Sequence, residues 1–278
     1  MRLAEFWLRY RKSRLAVVGA ATASIFVLIS IFAPFITPFP PFEQHLENKF
    51  LPPSSVNIFG TDQLGRDLLS RVIFGTRISM MIGLLVTLLS TLIGILVGAC
   101  GAFVGGEMDE LLMRITDLTY CLPTFFLILT ALALFGPNLI NLVLVMGTTM
   151  WPVTARLIRA EVLSVKEKDY VLASKVCGVG SATILFSEVL PNAIYSVIVA
   201  STLRTATAIL YEASLSFLGL GDPSLVSWGW IIRESLPFIR IAWWMPIFPG
   251  IVLSTLVIAI NLTGDGLNDA LNPQLKER

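Results

Sequence analysis

The sequence predicts an all-α integral membrane protein with six transmembrane helices and both termini in the cytoplasm. Three observations predict it: 55% of the 278 residues are hydrophobic, only 14% are charged, and long apolar runs separate the charges. A soluble domain carries about 25% charged residues. The net charge of +1 gives no basis for nucleic-acid binding. With one histidine and three cysteines, the sequence offers few ligands for a metal centre and few pairs for a disulfide framework.

Charge-free runs define the spans, because a bilayer core about 30 Å thick needs about 20 apolar helical residues. They predict a cytoplasmic segment 1–14, a first span 15–36, an extracytoplasmic loop 37–77 with a short helix, and a membrane core 78–278. Gly136-Pro137-Asn138 divides one long apolar run into two spans. The expected spans and loop of the core are 78–104, 118–135, 138–155, a cytoplasmic loop 156–191, 192–213 and 243–263.

The orientation follows from the basic residues, which are enriched on the cytoplasmic side of membrane proteins. With the N-terminus inside, 13 of the 20 Lys and Arg residues lie in cytoplasmic segments and six in outer segments, while Arg204 lies within a span. This asymmetry predicts that both termini are cytoplasmic.

The outer loop carries a helix signal. Thr61 or Asp62 is placed to cap a helix over 63–74, and Gly75 is placed to end it. This would be a short helix outside the membrane, separate from the span that follows it.

The inner loop carries a second helix signal. The capping box Ser164-Val165-Lys166-Glu167 predicts the start of a helix that Gly178 ends, and Ser181 would cap another that ends at Pro191. This helix pair either lies on the bilayer or on the chain's own spans as an amphipathic element, or it docks a cytoplasmic partner.

The fifth span contains two charged residues, and charges inside a membrane are costly. Arg204 and Glu212 are about 12 Å apart along a helix and about 80° apart around it, so they should not pair directly. We expect Arg204, with Thr205 beside it, to line a translocation path, face the interior of the bundle or face another subunit. Glu212 either lines the same path or ties helices together near the outer interface.

Catalytic motifs are absent from the sequence. No lysine follows a glycine, so there is no P-loop, and there is no His-Glu-x-x-His motif. The chain is therefore not expected to be an enzyme, to hold a metal or to bind ATP itself.

The inner loop resembles the "EAA" loop of ABC importer permeases, which reads Glu-Ala-Ala, three residues, Gly, nine residues and Ile-x-Leu-Pro. The residues that match at this spacing are Ala173, Gly178, Leu190 and Pro191. The residues that differ are Leu172 in place of Glu, Ser174 in place of the second Ala, and Glu188 in place of Ile.

Two further segments resemble the C-type permeases of the dipeptide/oligopeptide/nickel family. Residues 216–221, with Glu212 at the matching acidic position, resemble the end of that family's fifth span. The signature that follows the first span is matched by Gly60, Thr61, Asp62, Gly65, Arg66, Asp67, Ser70 and Arg71.

The resemblance implies an ABC importer permease fold with a cytoplasmic coupling helix, in the inner membrane of a prokaryote and in contact with its lipid. The implied partners are a second permease, two ABC ATPases that hold ATP and Mg, and an extracytoplasmic binding protein. Dipeptides or oligopeptides are the expected cargo, and a nickel species or an oligosaccharide is the alternative. A stand-alone channel is the competing hypothesis from another class.

Overall fold

The structure is a computed structural model that describes residues 3–271, and that part of the chain is helical without a β-strand. Thr61 and Asp67 form an isolated bridge. The α-helices, in chain order, are α1 Leu3–Tyr10, α2 Arg14–Ile36, α3 Leu68–Val104, α4 Gly106–Cys121, α5 Thr124–Phe135, α6 Leu139–Thr149, α7 Pro152–Lys166, α8 Asp169–Val176, α9 Ser181–Ile184, α10 Leu190–Leu218, α11 Trp228–Ser235 and α12 Trp244–Leu271.

Four helical segments of the described chain are long and apolar enough to cross a membrane. They are α2, α3, the continuous helix Ser181–Leu218 and α12, and the bent pair α4 and α5 makes up to five. The multi-pass, all-helical class is confirmed. The count of six spans and the cytoplasmic position of the termini stay predictions.

Two of the predicted spans are broken rather than straight. The one over 118–135 is interrupted at Leu122-Pro123, where α4 and α5 meet at 82°. The one over 138–155 is interrupted after α6 ends at Thr149, and α7 begins at Pro152. Both breaks fall at a proline, which has no N–H to continue the preceding helix.

The predicted break at Gly136-Pro137-Asn138 is confirmed. Gly136 ends α5 with a φ of 88°, a conformation that a side chain would strain. Asn138 caps α6, because its Oδ1 accepts a hydrogen bond from the N–H of Asn141 at 2.8 Å.

α3 is the central helix, and it packs against α2, α6, α7 and α10. Gly94 and Gly98 allow α7 to approach closely. A Cβ on Gly94 would lie 2.5 Å from Cβ of Thr154, and one on Gly98 would meet the carbonyl of Ala155. This is the small-residue packing used between membrane helices.

The buried side chains form three main clusters along the long helices. One surrounds Trp228 near the start of α3, a second surrounds Leu142, and a third surrounds Val162 near the inner loop. The opposite surfaces expose large apolar side chains, as Leu88 and Leu96 do on α3. Such surfaces need lipid or another subunit to cover them.

Candidate functional site

Residues 60–67 form a tight turn outside the long helices, not the predicted helix. Asp62 Oδ1 accepts hydrogen bonds from the N–H groups of Leu64 at 2.8 Å and Arg66 at 3.0 Å. Gly65 has a φ of 72° and lies against the carbonyl of His45. The predicted helix over 63–74 is therefore wrong at its start, because Asp62 closes a turn instead of capping a helix, whereas residues 68–74 are helical as the first turns of α3.

α3 begins later and runs further than the sequence predicted. Asp67 is its cap, since Asp67 Oδ2 accepts from the N–H and the hydroxyl of Ser70, both at 2.8 Å. Gly75 does not end a helix. It lies inside α3, where an added Cβ would be 3.0 Å from Cδ1 of Trp228.

Four charged side chains, which we call the outer cluster, connect this turn to α11: Asp62, Arg66, Arg71 and Glu234. Asp62 Oδ2 accepts from Nε of Arg66 at 2.6 Å and from Nη1 of Arg71. Glu234 Oε2 accepts from Nη2 of both arginines, at 3.1 and 2.8 Å. Asp62 is 1% exposed and Arg71 2%. The network balances two positive charges with two negative ones within the chain, and only Nε of Arg71, among its buried donors, lacks a hydrogen-bond partner.

The remaining signature residues fasten the outer loop to the helices. The Thr61 hydroxyl donates to the carbonyl of Asn48 at 2.5 Å, and the Thr61 carbonyl accepts from Nε1 of Trp244 at 3.1 Å. Asp67 Oδ1 accepts from Nδ2 of Asn57 at 2.8 Å. The structure thus brings the eight signature residues together as an anchor, and adds Glu234, which no sequence spacing indicated.

Asp222, in the outer connection between α10 and α11, holds that connection against the start of α6. Its Oδ2 accepts from the N–H of Leu139 at 3.1 Å, and its Oδ1 accepts from the N–H and the hydroxyl of Ser224. Burial acts to raise the pKa of Asp222, but the hydrogen bonds from Ser224 and Leu139 outweigh it and lower the pKa below its usual value. The contact is therefore present at neutral pH and lost as the pH falls through that lowered pKa.

Glu212 is buried between α10 and α3. It is 1% exposed, and it accepts hydrogen bonds from the hydroxyls of Ser79 at 3.0 Å and Ser216 at 2.7 Å. Of the two roles that the sequence left open for Glu212, this geometry corresponds to a tie between helices.

A cavity of about 340 Å³ lies beside the middle of α10, where the breaks between α4 and α5 and between α6 and α7 meet. Arg204 lines it, and its Nη1 donates a hydrogen bond to the carbonyl of Met150, at the second break. Thr205 is not among the lining residues. Its hydroxyl donates to the carbonyl of Ser201, one turn earlier on α10, at 3.0 Å.

Four polar residues that line the cavity with Arg204 were not identified from the sequence: Tyr120, Thr124, Thr149 and Tyr211. Three of the four come from the segments that flank the proline breaks, so those breaks were the signal that could have located them. Thr207 also lines the cavity and belongs to the row of Ser and Thr residues on the fifth span that is compatible with a water-exposed face. Among the side chains of residues 7–271, no group of three or more from His, Cys, Asp and Glu is arranged to hold a metal ion.

The inner loop differs from the prediction at its start. α7 continues through Ser164 to Lys166, so the capping box opens no helix. Val165 lies in a buried position on α7, and Lys166 Nζ donates to the carbonyl of Ala102 at 2.8 Å. This packing keeps the last turn of α7 on α3.

The predicted end of the next helix is confirmed. α8 ends before Gly178, which has a φ of 77°, and the N–H of Val179 donates to the carbonyl of Ser174 at 3.1 Å. This is the usual glycine-terminated end of a helix.

The predicted helix end at Pro191 is wrong. α9, a π-helical turn over Leu185–Val189 and α10 form one continuous helix. The N–H of Leu190 donates to the carbonyl of Leu185, five residues earlier. The wider turn accommodates Pro191, which would clash with a carbonyl in a regular helix.

α8 is held on the rest of the chain by few contacts. Val171 is fully buried, and the hydroxyl of Ser174 donates to Oε1 of Glu188 at 2.6 Å. The apolar residues that α8 and its end leave exposed, which we call the α8 surface, are Tyr170, Leu172, Ala173, Val176 and Val179. Val176 is 89% exposed. A contiguous exposed apolar patch is typical of a protein-binding surface.

Sequence comparisons place the chain among transport proteins. The family described as "Binding-protein-dependent transport system inner membrane component" matches residues 90–277. A second family, "N-terminal TM domain of oligopeptide transport permease C", matches residues 2–53. Together they cover most of the chain.

Individual relatives are similar over nearly the full length. The dipeptide transport system permease protein DppC of Haemophilus influenzae is 39% identical, covering 99% of this chain and 96% of the relative. The di/tripeptide permease DppC of Pseudomonas aeruginosa is 40% identical, covering 99% and 93%. The oligopeptide permease OppC of Bacillus subtilis is 38% identical, covering 97% and 89%.

A solved structure has a similar fold. It is an inward-facing conformation of the MetNI methionine ABC transporter, which aligns with a TM-score of 0.60 at 18% identity. The alignment covers 74% of this chain and 97% of that one. At this identity the similarity concerns the fold alone.

Proposed function

The chain belongs to the family of binding-protein-dependent transport system inner membrane components, and on that premise we propose that it is a permease subunit of an ABC importer for dipeptides or oligopeptides. The observation that carries the proposal is the near-complete similarity to permeases that are named for these substrates. The chain has no P-loop, so the energy for import must come from other subunits.

The proposed assembly contains a second permease, two ATPases that hold ATP and Mg, and an extracytoplasmic binding protein. In this assembly the α8 surface docks into an ATPase. Three features support that role: its apolar side chains are exposed, Lys168 and Lys175 are exposed beside them, and Val171 alone anchors the opposite side in the core.

Movement of the ATPases would reach the membrane through α10. The hydrogen bond from Ser174 to Glu188 connects α8 to the π-helical turn that leads into α10 without a break. Arg204 lies 13 residues beyond Pro191, about 20 Å along the helix axis. A displacement of α8 is therefore transmitted along one stiff element to the Arg204 cavity.

The resemblance-derived coupling residues divide into two groups. Leu172, Ala173 and Gly178 are exposed, and we propose that they face the ATPase. Ser174, Leu190 and Pro191 lie at or near the joint between α8 and α10, where they act as positioning residues.

The test is peptide uptake into proteoliposomes that contain the chain, its partner permease and the ATPases, with the binding protein added outside. We expect radiolabelled dipeptide to accumulate only with ATP inside, and Ni²⁺ not to accumulate. Uptake of Ni²⁺ without peptide uptake would overturn the cargo assignment. Peptide flux through the chain in the absence of ATPases would favour the stand-alone channel instead.

A further inference from the structure

We propose that the Arg204 cavity binds the C-terminal carboxylate of the transported peptide. The inference rests on the proposed function and adds to it the chemistry by which the membrane part of the transporter recognises its cargo. Arg204 is the residue that would hold the carboxylate.

In the described chain, the cavity lies where the break between α4 and α5 and the break between α6 and α7 both face α10. The breaks at Pro123 and Pro152 both open onto α10 at the level of Arg204. Non-helical backbone at membrane depth is tolerated where it lines a cavity, and substrate sites of transporters are built at such interruptions. A volume of about 340 Å³ is within the range of small-ligand sites.

Arg204 carries a charge that nothing in the described chain neutralises. Among residues 7–271, no Asp or Glu lies within ion-pair distance of it, and no acidic side chain lines the cavity. Its Nη1 donates to the Met150 carbonyl, and its Nε is buried without a hydrogen-bond partner. The guanidinium is thus fixed in position, and Nη2 is the donor left for a ligand in the cavity, where a carboxylate would form a charge-assisted hydrogen bond with it.

The helix ends add a second source of positive potential. α5 and α7 both begin at the cavity, through Thr124 and Pro152, and neither start has a side-chain cap. The first N–H groups of each helix therefore remain unpaired within it and carry partial positive charge. Together with Arg204, these starts favour an anionic group over a neutral or cationic one.

A free C-terminal carboxylate is the anionic group that all linear peptides share, whatever their side chains. An importer of peptides of varied sequence must hold a feature common to them. The lining hydroxyls of Tyr120, Thr124 and Tyr211 can contact the adjacent peptide bond without selecting a side chain.

The test compares import of a dipeptide with import of the same dipeptide as its C-terminal amide. The complete transporter is reconstituted, and each peptide is supplied at a concentration that saturates the binding protein. Binding of each peptide to that protein is measured separately. We expect Arg204→Gln to reduce import of the acid by about tenfold or more, because a hydrogen-bonded charge pair is lost. Import of the amide should change by less than about twofold, since it lacks the charge that this pair requires.

Arg240→Gln is the matched control. Arg240 is an exposed basic residue outside the long helices and away from the cavity, so the acid-to-amide ratio should equal that of the wild type. Co-purification of the ATPases with each variant establishes that the complex has assembled.

Several outcomes overturn the proposal. Equal loss of acid and amide import in Arg204→Gln would mean that Arg204 pairs with a carboxylate of a neighbouring subunit or has a structural role. Unchanged import of both would also exclude it. If the wild-type transporter imports neither peptide with ATP, the proposed function itself has failed.

A second variant keeps the test decisive if Arg204→Gln does not assemble. Thr207 lines the same cavity one helical turn from Arg204. Thr207→Asp places a competing carboxylate beside the intact guanidinium, and we expect acid import to fall relative to amide import. An unchanged ratio would contradict carboxylate binding.

Discussion

The outer cluster and the α8 surface lie in two different loops of the chain, and they differ in which side chains they bury and which they expose. In the outer cluster, Asp62, Arg66 and Arg71 are buried, Glu234 is partly buried, and every one of these charges pairs with an opposite charge in the same chain. On the α8 surface, apolar groups are exposed and a single buried residue, Val171, anchors the helix. The first region is complete in the isolated chain and holds a loop in place. The second exposes apolar side chains that nothing in the described chain covers, and that difference is the physical basis of the proposal that it docks a partner.

The largest expected effect comes from breaking the outer cluster. Asp62→Ala leaves Arg66 and Arg71 buried with only Glu234 as a partner. Removing one partner from a buried ion network costs about 3–5 kcal/mol, so we expect little folded protein in the membrane. Fluorescence-detected size-exclusion of the solubilised chain measures this.

Glu110→Ala is the control for that change. Glu110 pairs with Arg114 on the exposed side of α4, and such pairs contribute about 0–1 kcal/mol. A monodisperse Asp62→Ala protein, as abundant as the control, would refute the structural role of the cluster.

The second prediction concerns a substitution on α8 that should impair docking without impairing folding. Val176→Asp changes a residue that is 89% exposed, so the chain should fold normally. Peptide import should fall by about tenfold or more, because a carboxylate would be buried without a partner in the ATPase groove.

Val171→Ala on the same helix is expected to affect folding rather than docking. Val171 is fully buried, so its truncation should lower the free energy of unfolding by about 1–3 kcal/mol. Normal import by Val176→Asp, measured in proteoliposomes, would remove the α8 surface from the docking interface.

The smallest effects come from two glycines with the same backbone conformation, Gly65 with a φ of 72° and Gly178 with a φ of 77°. At Gly178 no atom lies near an added Cβ, so Gly178→Ala should cost only about 1 kcal/mol of backbone strain. At Gly65 the Cβ would meet the carbonyl of His45, and Gly65→Ala should cost about 2–3 kcal/mol. The melting temperature should therefore fall more in Gly65→Ala than in Gly178→Ala. A larger fall in Gly178→Ala would contradict the tighter packing around Gly65.

The features that local chemistry determines were predictable from the sequence. The charge-free run 15–36 became α2, Gly136 and Asn138 separate α5 from α6, and Gly178 ends α8. In each case the residues concerned act on their own neighbours in the chain. The membrane class followed from composition for the same reason, since it needs no tertiary contact.

The features that depend on distant residues were not predictable. The sequence indicated Thr61 or Asp62 as the helix cap, but Asp62 contacts Arg71, Arg71 contacts Glu234, and Asp67 caps α3 instead. On α10, neighbouring residues differ by about 100° in direction, so placing Thr207 rather than Thr205 at the cavity required the positions of the broken helices.

The most direct test of the account is a cross-link from Cys177, which lies at the end of α8 and is exposed. A chain with Cys177 as its only cysteine is labelled with a thiol-reactive photocross-linker in the assembled complex, and a chain with only Cys100, exposed on α3, is the control. We predict an ATPase adduct from Cys177 that changes in yield when nucleotide binds, and none from Cys100. An assembled complex in which Cys177 forms no ATPase adduct would contradict the assignment of α8 as the coupling helix.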